Sequence, residues 1–251
     1  VIAEPHRGPV GPRACLPPGV VAALFAAGVA VAPIGVAEPA GNADCTVGGF
    51  AGCDNNGMAE LVRNAESMAA QYLSGTGIPA SSLPRLVYIP SGRDAPSNCV
   101  DANGNDVQHD RSLDYCLTDN AVYVGQSSLW DAVQQYGAAG PTSGLAHEYG
   151  HFLQSVKHVP IPGNTAEGIR HENQADCVSG DFMSYLRNRG DIDVAADALD
   201  SVDRYLVHTA SADVPGRDHG TATERTTSFR LGYDGGLAAC NAFYPATPLT
   251  G

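Results

Sequence analysis

Two histidines and a glutamate stand together in GLAHEYGHFLQ (144–154): His147, Glu148 and His151. On a helix, a spacing of four sets the two imidazoles about 40° apart in azimuth and about 6 Å apart along the axis. Both rings then reach one metal ion at about 2 Å. Glu148 is turned about 100° from His147. It stands beside such an ion rather than on it, where it can hold a water. Leu145, Ala146, Phe152 and Leu153 are apolar enough to bury the helix, and Gly150 leaves space near the metal. The bare motif also arises by chance, so a polar patch on a helix is the competing reading.

A catalytic zinc site takes three protein ligands and leaves a fourth position to water. The expected third ligand is Glu172, in HENQADCVSG (171–180) on a later helix that the pattern starts at residue 171. Asp176 lies four residues further on and shares its face. It is expected to orient an imidazole by accepting the free N–H. His171 competes with Glu172. The two are adjacent, so both cannot face the metal from one helix, and the His₂Glu set is the more typical of peptidases. The expected cofactor is one catalytic zinc ion.

The elements that must position these residues follow from periodicity. Residues 56–75 have apolar positions at helical spacing and Gly75 as a stop. RLVYIP (85–90) and AVYVG (121–125) read as strands. Between them, 91–119 is polar and bracketed by Cys99 and Cys116. Its DANGND stretch (101–106) resembles the start of a calcium loop. Glycine is missing from the sixth position, however, and Ser112 stands where a bidentate Glu is needed, so a disulfide-closed turn is expected. Helices are expected over 127–137, 144–154, 171–190, 193–210 and 222–236. Thr221 and Glu224 stand at capping-box spacing ahead of the last. The fold class is α+β, a small sheet with several helices.

Composition narrows the partners. The chain carries 14 basic and 27 acidic residues, a net charge of −13, and Lys157 is its only lysine. No basic cluster occurs, which argues against nucleic acid and against anionic membrane surfaces. Arg7 and Arg13 precede an uncharged apolar run at 19–37, and small residues offer cleavage after Ala37 or Ala43. That layout predicts a signal peptide over 1–37, export from the cell, and one domain over 38–251. A membrane anchor at 19–37 is the alternative, although Pro33 interrupts the run. Cys15 falls in the signal. Cys45, Cys53, Cys99, Cys116, Cys177 and Cys240 remain, an even number suited to disulfides. Proximity favours Cys45–Cys53 and Cys99–Cys116, which leaves Cys177–Cys240. Free thiols or zinc-ligating cysteines are the alternatives, but no C-x-x-C pair is present.

Several blocks together resemble the neutral zinc metallopeptidase family of bacteria, a gluzincin-like group. YCLTDNAVYVG (115–125) is similar to that family's Cys-containing turn and strand. GLAHEYGHFLQ is similar to its H-E-x-G-H helix, and ENQADCVSG (172–180) to its E-x-Q-A-D-C-x-x-G block. HGTATERTTSFRLGYDGGLAACNAF (219–243) is similar to its closing block. The resemblance covers roughly residues 85–243. It implies a zincin-like fold, zinc on His147, His151 and Glu172, catalysis by Glu148, and a Cys177–Cys240 pair. The chain departs from the family at Phe152, where a third histidine is common, and in its Gly-rich approach to the active helix.

The expected activity is hydrolysis of peptide bonds in peptide or protein substrates, with Glu148 as general base. His219, in the closing block, is the expected oxyanion donor, with Tyr123, Tyr149, Tyr205 and Tyr233 as alternatives. His6, His109, His158 and His208 have no partner pattern and read as surface or core residues. Strand 121–125 is expected to bind substrate backbone by strand addition. Two other functions stay open: a secreted zinc-binding protein without peptidase activity, and a zinc hydrolase of a non-peptide amide. Neither substrate side chain nor oligomeric state leaves a signature.

Overall fold

The computed structural model describes residues 54–100, 106–190 and 196–250, all within one unit, Glu38–Gly251. The expected signal segment, His6, Cys45, Cys53 and residues 101–105 of the calcium-like stretch lie outside the described residues.

The fold is mixed α+β, as expected. Strand β1 (Arg85–Ile89) runs parallel to β5 (Ala121–Gly125), and β4 (Leu113–Cys116) pairs antiparallel on the other side of β5. A separate ribbon joins β2 (Asp94–Pro96) to β3 (Val107–His109). The apolar run of β5 is buried at every position, the mark of a strand covered on both faces. It is also paired along both edges, in the order β1-β5-β4. Strand addition at 121–125 is therefore closed off: β5 has no free main-chain groups to offer. Among the described residues the edge strands are β1 and β4, and the short LDYC sequence of β4 sits inside the stretch that reads as a polar turn.

The β4–β5 turn depends on Asp119 and Asn120. Asn120 adopts φ 45°, a left-handed conformation that Asn tolerates better than most residues. Asp119 accepts hydrogen bonds from the Asn98 main chain, the Tyr123 and Ser97 hydroxyls and the Asn98 side chain. These bonds, led by the Asn98 main chain, hold its carboxyl well below the usual carboxylate range. Cys99 and Cys116 stand at disulfide distance beside this network.

Among the described residues, six α-helices accompany the sheet: α1 (Met58–Gly75), α2 (Gln126–Tyr136), α3 (Ala139–Val156), α4 (Thr165–Arg189), α5 (Ala196–His208) and α6 (Ala222–Gly235). Fifteen of the 18 residues of α3 are buried, so it is the central helix and not a surface one. Its start precedes the HEYGH segment by more than two turns, with Pro141 at the third position, where a missing N–H costs nothing. Helix α4 also starts earlier than the pattern predicts. Asn164 caps it by accepting the Glu167 N–H, so Glu172 lies in the helix interior rather than at its start.

Close helix approach depends on missing side chains. A Cβ on Gly150 of α3 would lie 2.9 Å from the Ala175 Cα of α4. Between α4 and α6 the fit is reciprocal: a Cβ on Gly232 would lie 1.8 Å from the Cys177 oxygen, and one on Gly180 2.0 Å from the Phe229 oxygen. Cys177 and Cys240 stand at disulfide distance next to that seam, pinning α4 to the closing turn Leu237–Ala242. Among the described residues, no helix is long and apolar enough to cross a membrane.

Candidate metal centre

Helix α3 presents His147 and His151 one turn apart, and α4 presents Glu172 to both. The two Nε2 atoms are 3.0 Å apart. Glu172 Oε2 lies 3.2 Å from His147 Nε2, and Oε1 lies 3.3 Å from His151 Nε2. A tetrahedral ion with bonds of 2.0–2.1 Å requires ligand atoms roughly 3.3 Å apart. This group of three could hold a metal ion.

The hydrogen bonds behind the rings decide what those nitrogens carry. His147 Nδ1 is 2.8 Å from Asp176 Oδ1, and His151 Nδ1 is 2.8 Å from Gln154 Oε1. The Gln154 amide is oriented by its other end, which donates to the His171 carbonyl and to Gln174 Oε1. Both Nδ1 atoms therefore donate, and in the neutral rings both Nε2 atoms bear lone pairs. Two such lone pairs and a carboxylate converge with no hydrogen to share, an arrangement that calls for positive charge at its centre. A proton shows the same demand. Burial opposes a charged His147, but Asp176 and Glu172 outweigh it and push its pKa up to about 10. Burial likewise disfavours a charged Glu172, yet His151 and His147 hold it far below the usual carboxylate range.

His171 is not part of the convergent set. Its ring stacks on that of His151, with centroids 5.3 Å apart and planes 15° apart. Burial, reinforced by His151, pushes its pKa down to about 4.

Glu148 is buried beside the set and is held by the sheet. The Tyr115 N–H of β4 donates to its Oε2 at 2.8 Å. Ser112 accepts from Gly125, so Leu113 and Tyr115 are the β4 residues whose main-chain groups point away from β5. Burial raises the Glu148 pKa, against the pull of His147 and His151. Its neighbour Asp114 is pushed up to about 6, by burial first and by the charge of Glu148 second.

Asp176 is fully buried and doubly engaged. Besides His147, it accepts from Arg225 Nε at 2.9 Å and Arg225 Nη2 at 2.8 Å. Arg225 Nη1 donates to the oxygen and hydroxyl of Thr209, at the end of α5. The expected capping box is present, with Thr221 and Glu224 bonded reciprocally, and it sets Arg225 in the first turn of α6. Sequence reasoning missed the role of Arg225. Its signal is its place in HGTATER (219–225), at the start of the block 219–243.

His219 lies at the mouth of the site. Its Nε2 is 3.5 Å from Glu172 Oε2, its ring is 6.4 Å from that of His147, and its side chain is 40% exposed. The alternative tyrosines separate cleanly. The Tyr123 hydroxyl is taken by Asp119 and the Pro96 oxygen, and the Tyr233 hydroxyl by Arg187. Tyr149 is buried with Glu66 as its charged neighbour. Of these four, Tyr205 alone lines the cavity that His147, Glu148 and His219 share. His109 and His158 are exposed, and His208 lies against the Tyr136 ring at the cavity rim. The chain matches no protein-family model, no curated protein and no solved structure.

Proposed function

We propose that this is a secreted zinc-dependent peptidase with a zincin-like arrangement of active helix and sheet edge. The observation that carries the reading is the pairing of a convergent His147–His151–Glu172 donor set with the buried Glu148 carboxylate beside it, open to a cavity. A purely structural zinc site normally closes with a fourth protein ligand and has no use for a base there. The two-nitrogen, one-carboxylate set suits zinc, and both disulfide-distance pairs fit an exported protein.

His147, His151 and Glu172 would hold the ion. When bound, it supplies a Lewis acid that acidifies water and polarises a carbonyl. With Oε2 of Glu148 held by Tyr115, Oε1 is the oxygen left to take a proton from the attacking water. The C–N bond then breaks, and Glu148 returns the proton to the leaving amine, giving a carboxylate and an amine. His219, at the mouth of the site, would donate a hydrogen bond to the developing oxyanion. The substrate main chain lies along the free edge of β4.

The test is zinc content together with digestion of a peptide library. Wild-type protein is expected to hold one zinc per chain and to cleave peptides. Glu148→Gln keeps a side chain that accepts the Tyr115 N–H, so zinc content should hold while turnover drops about 10²- to 10⁴-fold. Zinc-loaded wild type that is as inert as the variant on every peptide sinks the peptidase reading. In that case a binding protein, or a hydrolase of another amide, takes its place.

A further inference from the structure

Gln174 is fully buried on α4, between Glu172 and Asp176 in the chain. Its Nε2 donates to the Cys240 carbonyl at 3.1 Å, and its Oε1 accepts from Gln154 Nε2 at 3.1 Å. Within the closing turn, the Phe243 N–H donates to the same carbonyl. A carbonyl can only accept, so Cys240 fixes which end of the Gln174 amide faces it. The oxygen end is thereby presented to Gln154. Gln154 answers with its NH₂, which also serves the His171 carbonyl, and its own oxygen is left for His151 Nδ1 at 2.8 Å. Two main-chain carbonyls therefore decide which nitrogen of His151 carries hydrogen. Reversing the Gln154 amide would set its oxygen against two others. It would also move hydrogen to His151 Nε2, where Glu172 Oε1, 3.3 Å away, would take it in place of an ion.

The same closing segment reaches His151 from the face of its ring. Tyr244 stands edge-on to His171, with centroids 6.3 Å apart and planes 80° apart, and His171 lies flat on His151. Tyr244 is itself held: its hydroxyl donates to the Glu167 oxygen, and the Arg170 guanidinium lies 4.9 Å from its ring centre. His147 is held from another side, by Asp176 and through it by Arg225 of α6.

We infer that the closing segment 237–244 clamps His151 in its metal-binding orientation, with Gln174 as the positioning residue that carries the clamp. The inference rests on His147, His151 and Glu172 holding zinc, and does not require peptide cleavage. Linkage makes the effect reciprocal. Loosening the segment lowers zinc affinity, and bound zinc tightens the segment. Cys177, three residues past Gln174, stands at disulfide distance from Cys240, so Gln174 and its anchor are held to one another.

Amide hydrogen exchange on the full chain, with and without zinc, tests this alongside chelator competition. Zinc should slow exchange over 237–244 in wild type, as well as over α3. Gln174→Met keeps the length of the side chain but offers no N–H to Cys240 and no amide oxygen to Gln154. It is expected to lower zinc affinity about 10-fold or more and to abolish the zinc-dependent slowing over 237–244, while the slowing over α3 persists. Tyr244→Leu leaves the amide chain intact and should lower affinity less. Zinc-loaded wild type whose exchange over 237–244 matches the zinc-free protein overturns the clamp, whether or not either variant folds. So does a folded Gln174→Met that keeps wild-type affinity; in both cases the metal site itself stands. Wild type that takes up no zinc removes the metal site and the clamp together. Zinc-dependent slowing over 237–244 that Gln174→Met abolishes, with no peptide cleaved, would remove the peptidase reading and keep the clamp.

Discussion

The two walls of the candidate site are built on opposite plans. On the helical wall, the polar side chains behind the two imidazoles are paired. Asp176 takes His147 and both arms of Arg225, and Gln154 takes His151 while donating to the His171 carbonyl and Gln174. On the facing wall, groups are left over. The edge of β4 is unpaired by any further strand among the described residues, and Asp114 has its pKa raised to about 6. A metal ion needs donors that are already in place, because a displacement of about half an ångström spoils the geometry. A guest that brings its own hydrogen-bonding groups needs the reverse, a wall with groups to spare. On the proposed reading, the contrast separates the part of the site that would hold an ion from the part that would receive a substrate.

The sharpest way to break this contrast is at Arg225, which is 4% exposed. Arg225→Ala would leave the fully buried Asp176 with His147 as its one remaining partner among the described residues, a loss of about 3–5 kcal/mol in folding stability. Zinc affinity should fall about 10- to 100-fold, since the carboxylate behind His147 is no longer held. Urea unfolding and chelator competition read the two effects separately. Unchanged zinc affinity would show that Asp176 orients His147 without help from Arg225. Gly232→Ala comes next in size. Its Cβ has no room against the Cys177 oxygen, and forcing α6 away from α4 should cost about 1–3 kcal/mol. The equivalent change at Gly75, where a Cβ meets nothing, serves as the control and should leave the urea midpoint close to wild type.

How legible each wall is in the sequence follows from the same contrast. The helical wall was readable because a helix repeats: His147 and His151 at four apart, and Glu172 and Asp176 at four apart, each specify one face. Arg225 was missed because its partner, 49 residues earlier, is set by packing of α4 on α6 through Gly180 and Gly232, and no local period records that. The sheet wall was misread at its most useful strand. β4 is four residues long, contains Asp114, and sits in a polar stretch, so alternation had too little length to register. β5 is legible as a strand, but its unbroken apolar run is the sign of a central strand, which leaves no edge for substrate addition. Tyr205 could be named among four tyrosines, yet only the fold shows which hydroxyls are already taken.

Asp114 offers the gentlest probe, because it reports on both walls at once. Its pKa rises from 3.8 to about 6 in the fold, so the folded state prefers the protonated carboxyl. The stability this gives is fully present below pH 3.8 and is lost as pH climbs through about 6. Asp114→Asn fixes a neutral side chain. The variant should match wild type at pH 4 and exceed it at pH 8 by about 1 kcal/mol, a figure reduced for the partial exposure of the group. Urea midpoints across pH 4–8 trace the difference, and a gap that does not grow with pH would remove Asp114 as its source. Part of the rise comes from the Glu148 charge across the site. In a Glu148→Gln background the pH at which the gap stops growing should therefore move down. If it stays put, burial alone raises Asp114, and the sheet edge does not sense the base that its Tyr115 N–H holds.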